Sequence, residues 1–189
     1  MNGNLTADDQ AIIDQTQCWV KNVIIGHDFC PFAKRELERE SIRFSVNRST
    51  DLESALQAVI DECVHLDNND ATETTLLMFA EAFKSFDDYL ELVELGQALL
   101  DDQGYEGTYQ LASFHPDYCF ADAEQNDAAN YTNRSPYPML HLIREASLEQ
   151  ALKHHSDPES IPERNVEYAR ELGLEEMKRQ LEACCKLDK

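Results

Sequence analysis

The run from Thr74 to Ala80, TTLLMFA, constrains the fold more than any other stretch of the chain. It is strand-sized, apolar without alternation, and preceded by a turn-like passage from Asp67 to Thr72. A strand of this kind is buried on both faces, as at the centre of a sheet with helices on each side. Helical patterns flank it. Upstream, Thr50 and Glu53 read as a capping box before Leu52, Ala55, Leu56, Val59, Ile60, Cys63 and Val64, a spacing that predicts a helix as far as Leu66. Downstream, Ser85 is the expected cap of a helix carrying Phe86, Tyr89, Leu90, Val93 and Leu100 and stopping near Gly104.

Ile42, Phe44 and Val46 alternate with Arg43, Ser45 and Asn47, the period of a half-buried strand, and Tyr109 to Phe114 and Met139 to Ile143 are two more strand-like runs. Strand, helix, strand, helix, strand implies right-handed crossovers and a parallel core for the first three strands. The fourth follows a connection without helical pattern and is expected to run antiparallel to its predecessor. Thr6 and Asp9 cap a first helix that ends at Gly26, and Pro31 suits the first turn of a short second one. Ser147 with Gln150 caps the helix after the last strand, and Glu159 to Cys185 is helical with a break near Gly173. The expected architecture is therefore α/β: one domain over residues 1–189, with a small, mostly parallel (mixed) four-stranded sheet flanked by helices and extra helices at both termini. A chain of 189 residues can bury such a core without disulfides or metal staples.

Charge narrows the partners. With 37 acidic against 16 basic residues the formal net charge is −21, a field that repels phosphate backbones and anionic lipid headgroups. Nucleic-acid and membrane partners are not expected. The first residues lack a basic segment followed by an apolar one, and no apolar run reaches membrane-spanning length, so a cytoplasmic location is the expectation. There the six cysteines would be reduced thiols, and none is arranged C-x-x-C. The adjacent Cys184 and Cys185 read as incidental.

Chemistry-bearing side chains concentrate between Tyr109 and Arg144, where a long connection joins two strands. His115 and Asp117 fall at the carboxyl end of a strand expected to be parallel, the edge at which open α/β sheets bind ligands. An antiparallel last strand would keep the whole loop at that edge and return Asn130, Asn133 and Arg134 to His115. His115 is the candidate general acid or base with Asp117 orienting it, and Arg134 is the candidate grip on a carboxylate or phosphate. Each has a plainer alternative. His115 could be a hydrogen-bonded strand-end histidine, Arg134 could close the loop on Asp127, and the asparagines and Thr132 could bond backbone. A metal held by His115, Asp117 and His141 has no specific spacing behind it, and His141, inside a strand, reads as structural; no metal or cofactor is expected. Cys30 precedes Pro31 at a helix start near Lys34, which favours a thiolate, while Phe29 and Phe32 suggest burial, which disfavours one.

The passages FCPFAK (29–34), ETTLL (73–77), ASFHPDY (112–118) and NYTNRSPYP (130–138), the last continuing into LHLIREAS, resemble one bacterial family, domain of unknown function 1415. The resemblance covers nearly the whole chain, from the first helix to the region around Arg164 and Asn165. It implies that these motifs belong to one domain; it implies no particular reaction. Two departures, His27-Asp28 before FCPFA and Ala121-Asp122 after Phe120, remove His27 and Asp122 from any family-wide role. The leading functional expectation is a site for a small anionic metabolite, as in a hydrolase or transferase, built from His115, Asp117, Asn133 and Arg134. The alternatives are a non-catalytic ligand- or protein-binding regulatory module and a thiol-dependent enzyme using Cys30.

Overall fold

The computed structural model describes residues 5–153 and 157–187. Strands β1 (Ile42–Asn47), β2 (Thr74–Phe79), β3 (Tyr109–Phe114) and β4 (Met139–Arg144) form one mixed sheet in the order β1-β2-β4-β3. β1 and β2 pair in parallel, whereas β4 is antiparallel to β2 on one side and to β3 on the other. The first three strands therefore point the same way, as the alternation with helices implies. Insertion of β4 between β2 and β3 leaves only one neighbouring pair parallel. Burial explains the insertion: Met139, Leu140 and Leu142 are fully buried on alternating faces, so this strand needs neighbours on both edges and cover above and below.

β2 is buried at all six positions, as its unbroken apolar run requires. One face of the sheet packs Leu77, Phe79, Leu140 and Leu142 against α3 (Leu52–Asp67) and α4 (Phe86–Asp102) through Val59, Leu66, Tyr89 and Leu92. The opposite face packs Leu76, Met78 and Met139 against Ile13, Trp19, Val20 and Ile24 and against Ala169 and Met177. Those helical residues come from α1 (Ala7–Trp19), a π-helical turn (Val20–Ile25), α6 (Ile161–Leu172) and α7 (Leu174–Cys185).

Local differences from the sequence expectation have local causes. Asp51, not Thr50, caps α3, its carboxylate accepting from the Ser54 N–H at 2.8 Å; a charged acceptor at the positive helix end outcompetes the hydroxyl beside it. α5 (Glu145–Lys153) leaves β4 without an intervening loop, so Ser147 lies inside the helix. Pro31 belongs to a turn ahead of α2 (Ala33–Glu38). The first helix widens into its π turn before Gly26, where an added Cβ would stand 2.2 Å from the Asn22 carbonyl oxygen. Gly173, at φ 85°, makes the expected break between α6 and α7. The polar positions of β1 are half-buried: Arg43 (2.8 Å) and Ser45 (2.7 Å) converge on Glu62, a buried carboxylate of α3.

Candidate functional site

The expected loop site folds onto itself. Residues Ala128–Thr132 form a buried 3-10 turn, tied to α6 by the Arg170–Asp127 ion pair at 2.7 Å. Asn130, fully buried, accepts from the Phe120 N–H at 3.0 Å and donates to the Glu124 carbonyl at 2.8 Å. Asn133 donates to the Ser113 carbonyl at 3.2 Å, and Thr132 to the Ala129 carbonyl at 2.9 Å. Arg134 donates to the Tyr118 (3.0 Å) and Gln125 (2.9 Å) carbonyls and lies 4.7 Å above the Tyr131 ring. Asp127 is thus the partner of Arg170, not of Arg134.

His115 is fully buried between the Phe86 and Tyr89 rings. Its Nδ1 accepts from the Asp117 N–H at 3.0 Å, which places the ring proton on Nε2, 2.9 Å from the Phe83 carbonyl to which it donates. Phe83 has the left-handed φ of 57°, so the imidazole anchors a strained corner between β2 and α4. Burial lowers the His115 pKa, only partly offset by the Phe83 carbonyl and the Asp117 charge. Asp117 itself is exposed. Replacing His115 by Leu keeps the packing but strands two backbone groups, so a loss of about 2 kcal/mol is expected in urea unfolding. A variant within a few tenths of wild type would mean that the corner holds without the ring.

A wide cavity lies elsewhere. About 700 Å³ opens on the α1 face of the sheet, near the amino ends of β1 and β2 and not at the carboxyl edge. Its floor is Ile42, Thr74, Leu76, His141 and Ile143, with Phe114 beyond. Trp19, Val20 and Ile24 form one wall, Cys30 to Ala33 a second, and Leu148 and Ala151 of α5 a third; Arg35, Glu36, Arg39, Glu73, Arg144, Ser147 and Gln150 add polar groups. His115, Asp117, Asn130, Asn133 and Arg134 are not among its lining residues. Of the side chains singled out in the sequence, Cys30 and His141 are.

His141 reaches this wall from the middle of the sheet. Its Nε2 is 2.7 Å from the Thr74 hydroxyl, whose own proton goes to the Leu142 carbonyl. Thr74 must then accept, which makes His141 the Nε2–H tautomer and leaves Nδ1 a bare acceptor with no partner among the described residues. Burial depresses its pKa to about 4, so the ring is neutral at neutral pH. Burial likewise pushes the Cys30 thiol up, the nearby Asp28 charge adding to this and the N–H groups of Phe32 and Ala33 opposing it. The two exposed guanidinium groups, Arg35 and Arg39, flank Glu36 at 3.2 and 3.9 Å. In the sequence, the alternation that points Ile42 and His141 to one side of the sheet is the signal for this face.

Among the described residues no group of three or more His, Cys, Asp or Glu is placed to hold a metal, and no helix is long and apolar enough to cross a membrane. Fold and cavity together define an α/β protein with a mixed four-stranded sheet and a mostly apolar chamber on one face. A family model described as "Protein of unknown function (DUF1415)" matches residues 11–179, and the chain belongs to that family. No curated protein matches it, and no solved structure does.

Proposed function

We propose that this protein binds a small amphipathic anionic metabolite, its apolar body in the cavity and its carboxylate or phosphate at Arg35 and Arg39. The observation that carries the reading is the cavity itself: a chamber of about 700 Å³ with apolar walls and the exposed guanidinium groups of Arg35 and Arg39, on a chain of net charge −21. Pockets for small molecules have this composition, apolar walls with a few polar groups that fix orientation. The local cations attract an anion at contact range although the distant field opposes it. Inside, the free Nδ1 of His141 is an acceptor for a hydroxyl or N–H of the ligand.

The chemistry favours binding over turnover. A thiol-dependent enzyme has one point in its favour, since Cys30 and His141 line the same chamber. Burial, however, raises the thiol and lowers the imidazole, so both groups are neutral where a nucleophilic pair would be charged. Hydrolase or transferase activity, with His115 as acid or base, would need His115 released from both its hydrogen bonds.

Decanoate, decanol and acetate test the proposal. Decanoate is expected to raise the melting temperature with the logarithm of its concentration once above its Kd, and acetate to leave it unchanged. Replacing Arg35 and Arg39 together by Ala should weaken decanoate about tenfold and leave decanol unaffected, while Ala151→Phe should abolish both. Absence of any decanoate effect, or an equal loss for decanol in the double variant, overturns the reading.

A further inference from the structure

We infer that Cys18 and Cys184 are a site of reversible covalent modification, closing to a disulfide on reaction with a low-molecular-weight disulfide. The two residues are 166 positions apart, yet their sulfur atoms face each other at 2.8 Å. One lies near the end of α1 and the other near the end of α7. That separation is about 0.8 Å beyond the 2.03–2.05 Å of a sulfur–sulfur bond, so pairing needs a small approach of two packed helices and no refolding. The adjacent Cys184 and Cys185 are thus not equivalent: the first is buried against Cys18, and the second is exposed.

The surroundings assign the roles. Cys18 is half-buried and accepts a hydrogen bond from the Asn22 side-chain amide at 3.2 Å, a donor that stabilises a thiolate. Cys184 is 1 % exposed while Cys18 is only half-buried, so Cys18 is the sulfur that a small disulfide reaches and the attacking group. In the first step the Cys18 thiolate attacks one sulfur of the small disulfide, forms a mixed disulfide and releases one small thiol. In the second, the Cys184 sulfur attacks the Cys18 sulfur, the protein disulfide forms, and a second small thiol leaves with the Cys184 proton. The two protein thiols are oxidised by two electrons, and the small disulfide is reduced to two thiols.

The bond would close nearly the whole chain into one loop and fasten α7 to the helix that supplies Trp19 to the cavity wall. Cross-links that close long loops restrict the unfolded chain most.

Oxidised glutathione is the probe. Treated protein should lose the mass of two hydrogens, melt roughly 10 °C higher, and revert on addition of dithiothreitol. Cys185→Ser should behave the same, and non-reducing peptide mapping of that variant should link the Cys18 peptide to the Cys184 peptide. Cys18→Ser should lose both the mass change and the stabilisation. A stable glutathione adduct at Cys18 or Cys185, a link from Cys18 to Cys185, or an intermolecular disulfide as the main product overturns the inference.

Discussion

Acidification from pH 6.5 to about 4 is expected to remove roughly 3 kcal/mol of folding stability through His141 alone. Burial holds the folded imidazole neutral down to about 4, while the unfolded chain takes up the proton at its ordinary 6.5. Between those values the unfolded state binds more protons, so stability is complete above the upper value and drains away as the pH falls towards the lower one. Below it both states are protonated and His141 costs nothing more. His115 and His65, also lowered by burial, act in the same direction. An opposing effect comes from the net charge of −21, whose self-repulsion fades as the pH approaches the isoelectric point near 4.4. A variant separates the two. His141→Gln keeps a donor for Thr74 but cannot titrate, and it leaves the charge of the neutral-pH protein unchanged. Urea unfolding across the interval should therefore show wild type losing about 3 kcal/mol relative to the variant. Parallel stability curves would mean that the ring is protonated as freely folded as unfolded, and that its surroundings in the sheet do not hold it neutral.

Much of the fold was legible because the strongest local signals agree with the tertiary structure. TTLLMF reads as a two-faced buried strand and becomes β2, and the apolar stripe from Leu52 to Leu66 becomes α3 on the sheet beside it. The placement of β4 was less accessible. Strand order is decided by which apolar faces meet after collapse, and the sequence from Met139 to Ile143 implies a direction but names no second neighbour. Its near-unbroken apolar sequence resembles that of β2, and this was the hint that it too lies inside the sheet.

The candidate site was legible in part, for a physical reason. Asn130, Asn133 and Arg134 are suited to gripping a ligand because they carry several hydrogen-bonding groups at fixed geometry. The same property suits them to a long loop that must satisfy its own carbonyls. In the fold they bond Glu124, Ser113, Tyr118 and Gln125, all main-chain oxygens that the sequence does not distinguish from one another. The cavity, by contrast, depends on what does not fill it. Phe114, Ile42 and the α5 residues Leu148 and Ala151 come from distant parts of the chain, and only their assembly shows that they leave a space. Cys30 and His141 are visible as chemical groups, but not as the lining of one cavity.

Trp19 joins the two regions, and Trp19→Ala is expected to cost 3–5 kcal/mol, the usual range for deleting a buried indole. The side chain is 1 % exposed, packs edge-on against Phe114 at 5.2 Å, and donates from Nε1 to the Arg134 carbonyl at 2.9 Å. Its removal would enlarge a chamber that already exists, and the sheet below cannot rise to fill the gap because β4 is clamped on both edges. It would also strand the Arg134 carbonyl, loosening the loop from the first helix. In a chain of this length the melting temperature should fall by roughly 10 °C. Trp19→Phe separates the contributions: the ring still packs while the donor is lost, so about 1–2 kcal/mol is expected. Loss of decanoate binding in a folded Trp19→Ala protein would place the ligand against this wall. Retention of wild-type stability by the alanine variant would show that the indole fills no required space, and with it would go the role given to α1 as the wall between the loop and the cavity.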